Sequence, residues 1–215
     1  MKHISPRWIA QCRDLASVIT LVLSICAGFG LIPEASAQTI GSVYTSTAPG
    51  TCRVSGARNG VDDSTTRFCP GKAGLGVLVN EDDLRETVSV GHTRAMAASE
   101  PAAQAWFGPF IASSATVEWR ARDGKPFAII QRWHLDDVSD EDKNGRPTAK
   151  PMLVVTRLPP GSVCHVAYVD VKANPDANGL ARKAADEFAR GFRCRKDEVK
   201  VIGNSGRAVE LALRR

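Results

Sequence analysis

The sequence predicts an α+β domain: an antiparallel sheet of about six strands, with one long helix from the C-terminal half packed on it and two disulfides as staples. Three observations predict it. Short stretches alternate apolar and polar side chains with the period of two that a half-buried strand requires. One stretch near the C-terminus repeats its apolar residues at helical spacing. Four cysteines lie beyond residue 37, in a chain whose start reads as an export signal.

Residues 1–37 have the form of a secretory signal peptide. Lys2, Arg7 and Arg13 charge the start, Leu15–Ile32 is mostly apolar, and Ala35-Ser36-Ala37 offers small residues for cleavage. Two alternatives keep the chain at a membrane: an uncleaved Leu15–Ile32 as anchor, or lipidation at Cys26. Gly28, Gly30, Pro33 and the Ala-Ser-Ala site oppose the first, and Ile25 before the cysteine opposes the second. Export sets an oxidising compartment, periplasmic or secreted, where cysteines pair.

The whole chain holds 215 residues with a net charge of +5. Removing the three basic and two acidic residues of 1–37 leaves +4, too mild for a nucleic-acid binder. No apolar run after the signal reaches the roughly 18–20 residues of a membrane helix.

Residues 38–73 read as an irregular Gly/Ser/Thr-rich segment, strand-like only over Ile40–Thr45 and stapled by Cys52 and Cys69. Residues 74–215 read as a single α+β domain. Gly76–Val79 and Leu84–Val90 form two strands across a turn at Asn80–Asp83. A short helix is expected near Glu100–Trp106, with Ser99 as its cap. Thr116–Leu135 is the clearest hairpin. Its alternation selects a three-residue loop, Asp123-Gly124-Lys125, which pairs Trp119 with Ile129 and Ala121 with Phe127. The tryptophans then face inward, and Glu118, Arg120, Arg122, Arg132 and His134 form an outer face. Met152–Leu158 and Cys164–Lys172 are apolar on both faces and read as central strands. The long helix begins at Asn174-Pro175 and carries Leu180, Ala184, Phe188 and Phe192 on one stripe. A last strand at Val199–Ile202 pairs with Ala208–Leu213.

Geometry selects the disulfide pairing. Nine strand residues from Cys164 advance about 30 Å at about 3.3 Å each. Eighteen helical residues return about 27 Å at about 1.5 Å each. Cys194 therefore lands near Cys164, which leaves Cys52 for Cys69. The cysteines lack Cys-x-x-Cys spacing, which argues against zinc.

Three sets of residues carry candidate chemistry. Asp140, Asp142 and Asn144, followed by Gly145, match the opening of a calcium loop, but Pro151 stands where its closing carboxylate belongs. The competing reading is a solvated turn. His134 beside Asp136 and Asp137 offers a general base with a carboxylate orienter, although no nucleophile motif accompanies it. Arg120, Arg122 and Arg132 form a basic face for an anionic ligand. His165 shares a face with Ala167 and Val169 and reads as a core histidine.

The sequence supports an exported, non-enzymatic protein that binds another envelope component, either a protein or an anionic polymer. The alternatives are a hydrolase-like enzyme using His134 with Asp136 or Asp137, and a domain stabilised by calcium through residues 140–145. Calcium is the one cofactor that the sequence suggests.

Overall fold

The computed structural model describes residues 39–56 and 64–214, all within one compact unit, Ala37–Arg215. The expected signal peptide lies outside the described residues.

The expected six-stranded antiparallel sheet with one long helix is not what forms. The described residues make a mixed sheet of ten strands with three short helices. The strands are β1 (Ile40–Ser46), β2 (Arg53–Gly56), β3 (Thr65–Pro70), β4 (Gly76–Asp82), β5 (Arg85–Gly91), β6 (Ile111–Arg122), β7 (Lys125–Glu141), β8 (Pro147–Arg157), β9 (His165–Asp170) and β10 (Lys200–Val201). The helices are α1 (Arg94–Ala98), α2 (Ala177–Phe188) and α3 (Arg207–Leu213). The strand order is β10-β9-β8-β7-β6-β5-β4-β3-β2, and β1 pairs with β6 off this path. β10 runs parallel to β9, and β5 touches β6 in parallel at Arg85 and Ile111.

The extra strands come from the segment expected to be irregular. β1, β2 and β3 all lie within residues 38–73, where local composition shows little alternation. Long-range pairing supplies their hydrogen bonds: β1 lies on β6 from Ile40–Arg122 to Ser46–Thr116, and β3 lies on β4. Both expected disulfides form, Cys52–Cys69 and Cys164–Cys194.

The β6–β7 hairpin keeps the expected pairing of Trp119 with Ile129 but reaches it differently. The loop has two residues, Asp123 and Gly124, both at positive φ. The pairing shifts between Arg120 and Ala121, so that Ala121 faces Pro126 while Arg120 faces Ala128. A tight turn and a bulge at Phe127 together restore the register that a three-residue loop would have produced.

Apolar side chains bury both faces of the sheet. One core holds Trp119, Trp133, Ile129, Val77 and Val90, with Ala208, Val209 and Leu211 of α3. The other holds Ile130, Leu153, Val155 and Val169 beneath Ala177, Ala181, Ala184 and Ala185 of α2. This double covering explains why β8 and β9 read as apolar on each face.

The helices differ from expectation in ways that local sequence conceals. α2 has 12 residues, and its cap is Asp176, whose carboxylate accepts from Gly179 N at 3.1 Å. Asn174, the expected cap, is buried instead and joins the Asp170 carbonyl to Asn204 by three hydrogen bonds. The expected strand pair near the C-terminus is replaced by β10 and α3. Ala208, Val209, Leu211 and Ala212 are spaced for a helix, and Gly206 offers no side chain to cap it. The cap comes from β9, where Asp170 Oδ2 accepts from Ala208 N at 2.9 Å. The expected helix near residues 100–106 is a 3-10 turn, Pro101–Gln104, and α1 precedes it.

Among the described residues no helix is long and apolar enough to cross a membrane.

Candidate functional site

The long strand β7 carries most of the sequence-derived candidates, and its alternation separates them. His134 and Asp136 project from one face; Asp137 projects from the other, with Trp133 and Leu135. Asp137 is 2% exposed and accepts from Arg207 Nε at 2.6 Å, Arg207 Nη2 at 2.8 Å and Ser139 Oγ at 2.6 Å. The hydrogen bonds from Arg207, then those from Ser139, hold its carboxyl far below the usual carboxylate range. Asp137 therefore anchors the start of α3 and does not orient His134.

His134 has a partner that the sequence did not reveal. The β6–β7 pairing is interrupted between Ser113 and Val117, and Ser114 Oγ lies 3.1 Å from His134 Nε2. Gln131 Nε2 holds Ser114 in place by donating to its carbonyl at 2.7 Å. Partial burial lowers the pKa of His134, Arg132 lowers it further, and Asp136 acts the other way. A neutral imidazole is thus favoured, one that can accept the hydroxyl proton. Ser114 escaped sequence reading because it lies in no nucleophile motif; only the interrupted ladder brings it to the histidine.

The expected calcium residues face cations of the chain itself. Asp140 accepts from Lys150 Nζ and from Thr148 Oγ1 at 2.6 Å, and the hydrogen bond from Lys150 is the main cause of its lowered pKa. Asp142 closes a turn by accepting from Asn144 N at 2.8 Å and Arg146 N at 3.0 Å, and the Arg146 side chain bonds it too. Calcium would have to displace Lys150 and Arg146. No group of three or more His, Cys, Asp or Glu side chains converges among the described residues.

The three arginines of the expected outer face separate. Glu118 and Arg120 are each only 8% exposed, because α2 lies over that part of β6. Arg120 makes a paired contact with Asp186, Nε to Oδ1 at 2.9 Å and Nη2 to Oδ2 at 2.6 Å. Arg182 bonds Glu118 at 2.6 Å, and that bond raises the Arg182 pKa. The network joins helix to sheet, and its charges face inward. Arg132 stays on the His134 face. Arg122 lies at the end of β6 and lines a cleft.

That cleft, of about 400 Å³, has three walls. The β6–β7 turn supplies Arg122, Asp123, Lys125, Pro126 and Phe127; the exit of β8 supplies Arg157, Leu158, Pro159 and Pro160; the turn after α2 supplies Arg190. Four cations thus meet one carboxylate over an apolar floor. Arg157 spends its donors on backbone oxygens: Ala189 at 3.2 Å, Ser162 at 2.9 Å and Pro160 at 2.8 Å. These bonds fix its position, and no carboxylate pairs with it among the described residues. Arg190 stands 5.4 Å from the Phe127 ring centre, in cation–π geometry. The Cys164–Cys194 bridge ties the chain beyond α2 to the loop that Arg157 grips. Such a cleft can take an anion with an apolar body.

No protein-family model, curated protein or solved structure matches this chain, so its own residues carry the functional argument.

Proposed function

We propose that this chain is an exported binding module that recognises an anionic polymer of the cell envelope through the basic cleft at the β6–β7 turn. One observation carries the reading: Arg122, Lys125, Arg157 and Arg190 surround an apolar floor with Asp123 as the single carboxylate among the lining residues. Convergent cations of this kind attract phosphate- or carboxylate-bearing ligands and speed their encounter. The two disulfides support export, because such bonds persist in oxidising compartments.

The test is binding of the full chain to lipopolysaccharide, with uncharged dextran as control. Lys125 and Arg190 are exposed, so a Lys125→Ala/Arg190→Ala variant retains the fold. Each exposed cation contributes about 1 kcal/mol near an anion, so the double variant weakens binding about 20- to 30-fold. Affinity for the wild-type chain falls as salt rises. Unchanged affinity in the double variant, or binding indifferent to salt, overturns the proposal.

The Ser114–His134 contact supports a second, hydrolase-like reading, with Ser114 as nucleophile and His134 as base. A fluorophosphonate probe would then label Ser114, and His134→Ala would abolish the labelling. No labelling at Ser114 removes this reading.

A further inference from the structure

A second cleft lies at the far end of the β6–β7 hairpin, where β5 meets Ile111 at the start of β6. It measures about 560 Å³ and opens between the tip of the β4–β5 hairpin and the loop that follows α1. Its walls have a different chemistry from the basic cleft. The hairpin supplies Asn80, Asp82, Arg85 and Thr87, and the loop supplies Gln104 and Trp106.

Trp106 is 61% exposed, whereas Trp119 and Trp133 are 0% and 1% exposed in the core. An indole left in water in a chain that buries its other described tryptophans calls for an explanation. Its surroundings are also held in place. Arg85 donates to the Gly108 carbonyl at 3.2 Å and to the Asp83 carbonyl at 3.0 Å, and it pairs with the Asp83 carboxylate. Its guanidinium lies 5.8 Å from the Trp106 ring centre and 5.0 Å from that of Phe110. Arg85 thus pins the loop to the hairpin and keeps the indole at the mouth of the cleft.

Polar groups that line the cleft with Trp106 keep unused capacity. Asn80 Oδ1 accepts from Thr66 at 2.8 Å, and no bond occupies the Asn80 amide donors among the described residues. Thr87 is 7% exposed, and its hydroxyl has no partner there. An orphaned buried hydroxyl is costly to the fold, and a ligand's hydrogen bond relieves that cost. The carboxylate of Asp82 and the amide of Gln104 add an acceptor and a donor–acceptor pair at the rim.

We infer that this cleft binds a neutral saccharide, stacked on Trp106 and hydrogen-bonded along its hydroxyl edge by Asp82, Asn80 and Gln104. A pyranose ring is apolar on its C–H face and dense in paired donors and acceptors along its edge, which matches a cleft lined by one exposed aromatic ring, two amides and a carboxylate. A nucleotide would also stack on the indole. However, Asp82 and Asp83 outnumber Arg85 among the lining charges, so the site repels phosphate. The site stands apart from the basic cleft, which it neither needs nor shares a residue with.

The experiment titrates the full chain with cellobiose, maltotriose and N,N′-diacetylchitobiose, and with AMP and trilysine as contrasts, while the heat of binding is followed by calorimetry. At least one neutral glycan binds with measurable heat, and tryptophan emission of the wild-type chain shifts with it. Trp106→Ala weakens that binding at least tenfold, and Asp82→Asn weakens it about fivefold. Both positions are exposed, and far-UV circular dichroism and melting temperature stay unchanged. Lys125→Ala/Arg190→Ala leaves glycan binding intact, which separates this site from the basic cleft. Binding of AMP or trilysine alone, no glycan binding, or glycan binding indifferent to both single variants would each overturn the inference.

Discussion

Replacing both Cys164 and Cys194 by Ala removes the bridge that closes the larger loop, 30 residues in sequence. In the chain-entropy account a closed loop of this length lowers the free energy of folding by about 3.6 kcal/mol at 25 °C, because the unfolded chain loses freedom. The native contacts around the bridge do not change this figure. The Arg157 bonds to Ala189, Ser162 and Pro160 persist in the variant and hold the folded segment in place. The unfolding entropy of a unit of about 180 residues is about 0.38 kcal/mol per kelvin. The bridge is therefore worth about 9–10 °C of melting temperature. The assay is thermal and urea unfolding of wild type and double variant, with free thiols counted to confirm that Cys52–Cys69 stays closed. A second readout is binding at the basic cleft, since the bridge ties down the α2 exit that carries Arg190. A loss below about 1 kcal/mol would refute the reasoning. It would mean that the unfolded chain already keeps the two ends close, or that the oxidised fold pays strain equal to the entropy.

Two further outcomes follow from buried and paired charges. His165 is 3% exposed among Phe107, Trp133 and Tyr168, and burial lowers its pKa to about 4. The unfolded residue titrates near about 6.5, so between those values the unfolded chain binds the extra proton. Its contribution is complete above pH 6.5 and falls by up to about 1.4 kcal/mol per pH unit as the solution is acidified toward pH 4. Urea melts across that range should show the slope and His165→Phe should flatten it; an unaltered slope assigns acid sensitivity to other groups. Millimolar calcium or EDTA should leave the melting temperature unchanged, because Asp140 and Asp142 already hold Lys150 and Arg146. A calcium site at a hundredfold excess over its Kd would add about 2.7 kcal/mol, or roughly 7 °C, and a rise of that size would restore the calcium reading.

The hairpin illustrates what alternation can and cannot reveal. Trp119, Ile129 and Trp133 announce one buried face, and their phase dictates that Trp119 meets Ile129. The turn that achieves it is undetermined, because a two-residue loop plus a bulge and a three-residue loop satisfy the same phase. On the opposite face Arg120 and Glu118 read as solvent-exposed. They are buried because Asp186 and Arg182, more than sixty residues later, descend on them from α2. A charged residue reports only its hydration preference, and a distant opposite charge can satisfy it. The basic cleft is half legible in the sequence: alternation puts Arg122 on an outer face, whereas Arg157 and Arg190 join it through the β8 exit and the turn after α2. Ser114 and Trp106 were invisible as site residues, since a hydroxyl without a motif and a tryptophan without a partner look like any others.

What the sequence determined by itself is what acts locally or through chain geometry. The period of the central strands, the inward phase of Trp119 and the pairing of four cysteines each follow from fixed rises per residue and alternate side-chain directions. The number of strands, the nature of the last segment and the membership of both clefts were decided by tertiary structure. β1 to β3 exist because β6 and β4 offer them hydrogen bonds, and α3 starts where Asp170 of β9 caps it. Those partners lie tens of residues away, where a backbone group or a charge is satisfied by whatever the fold brings beside it.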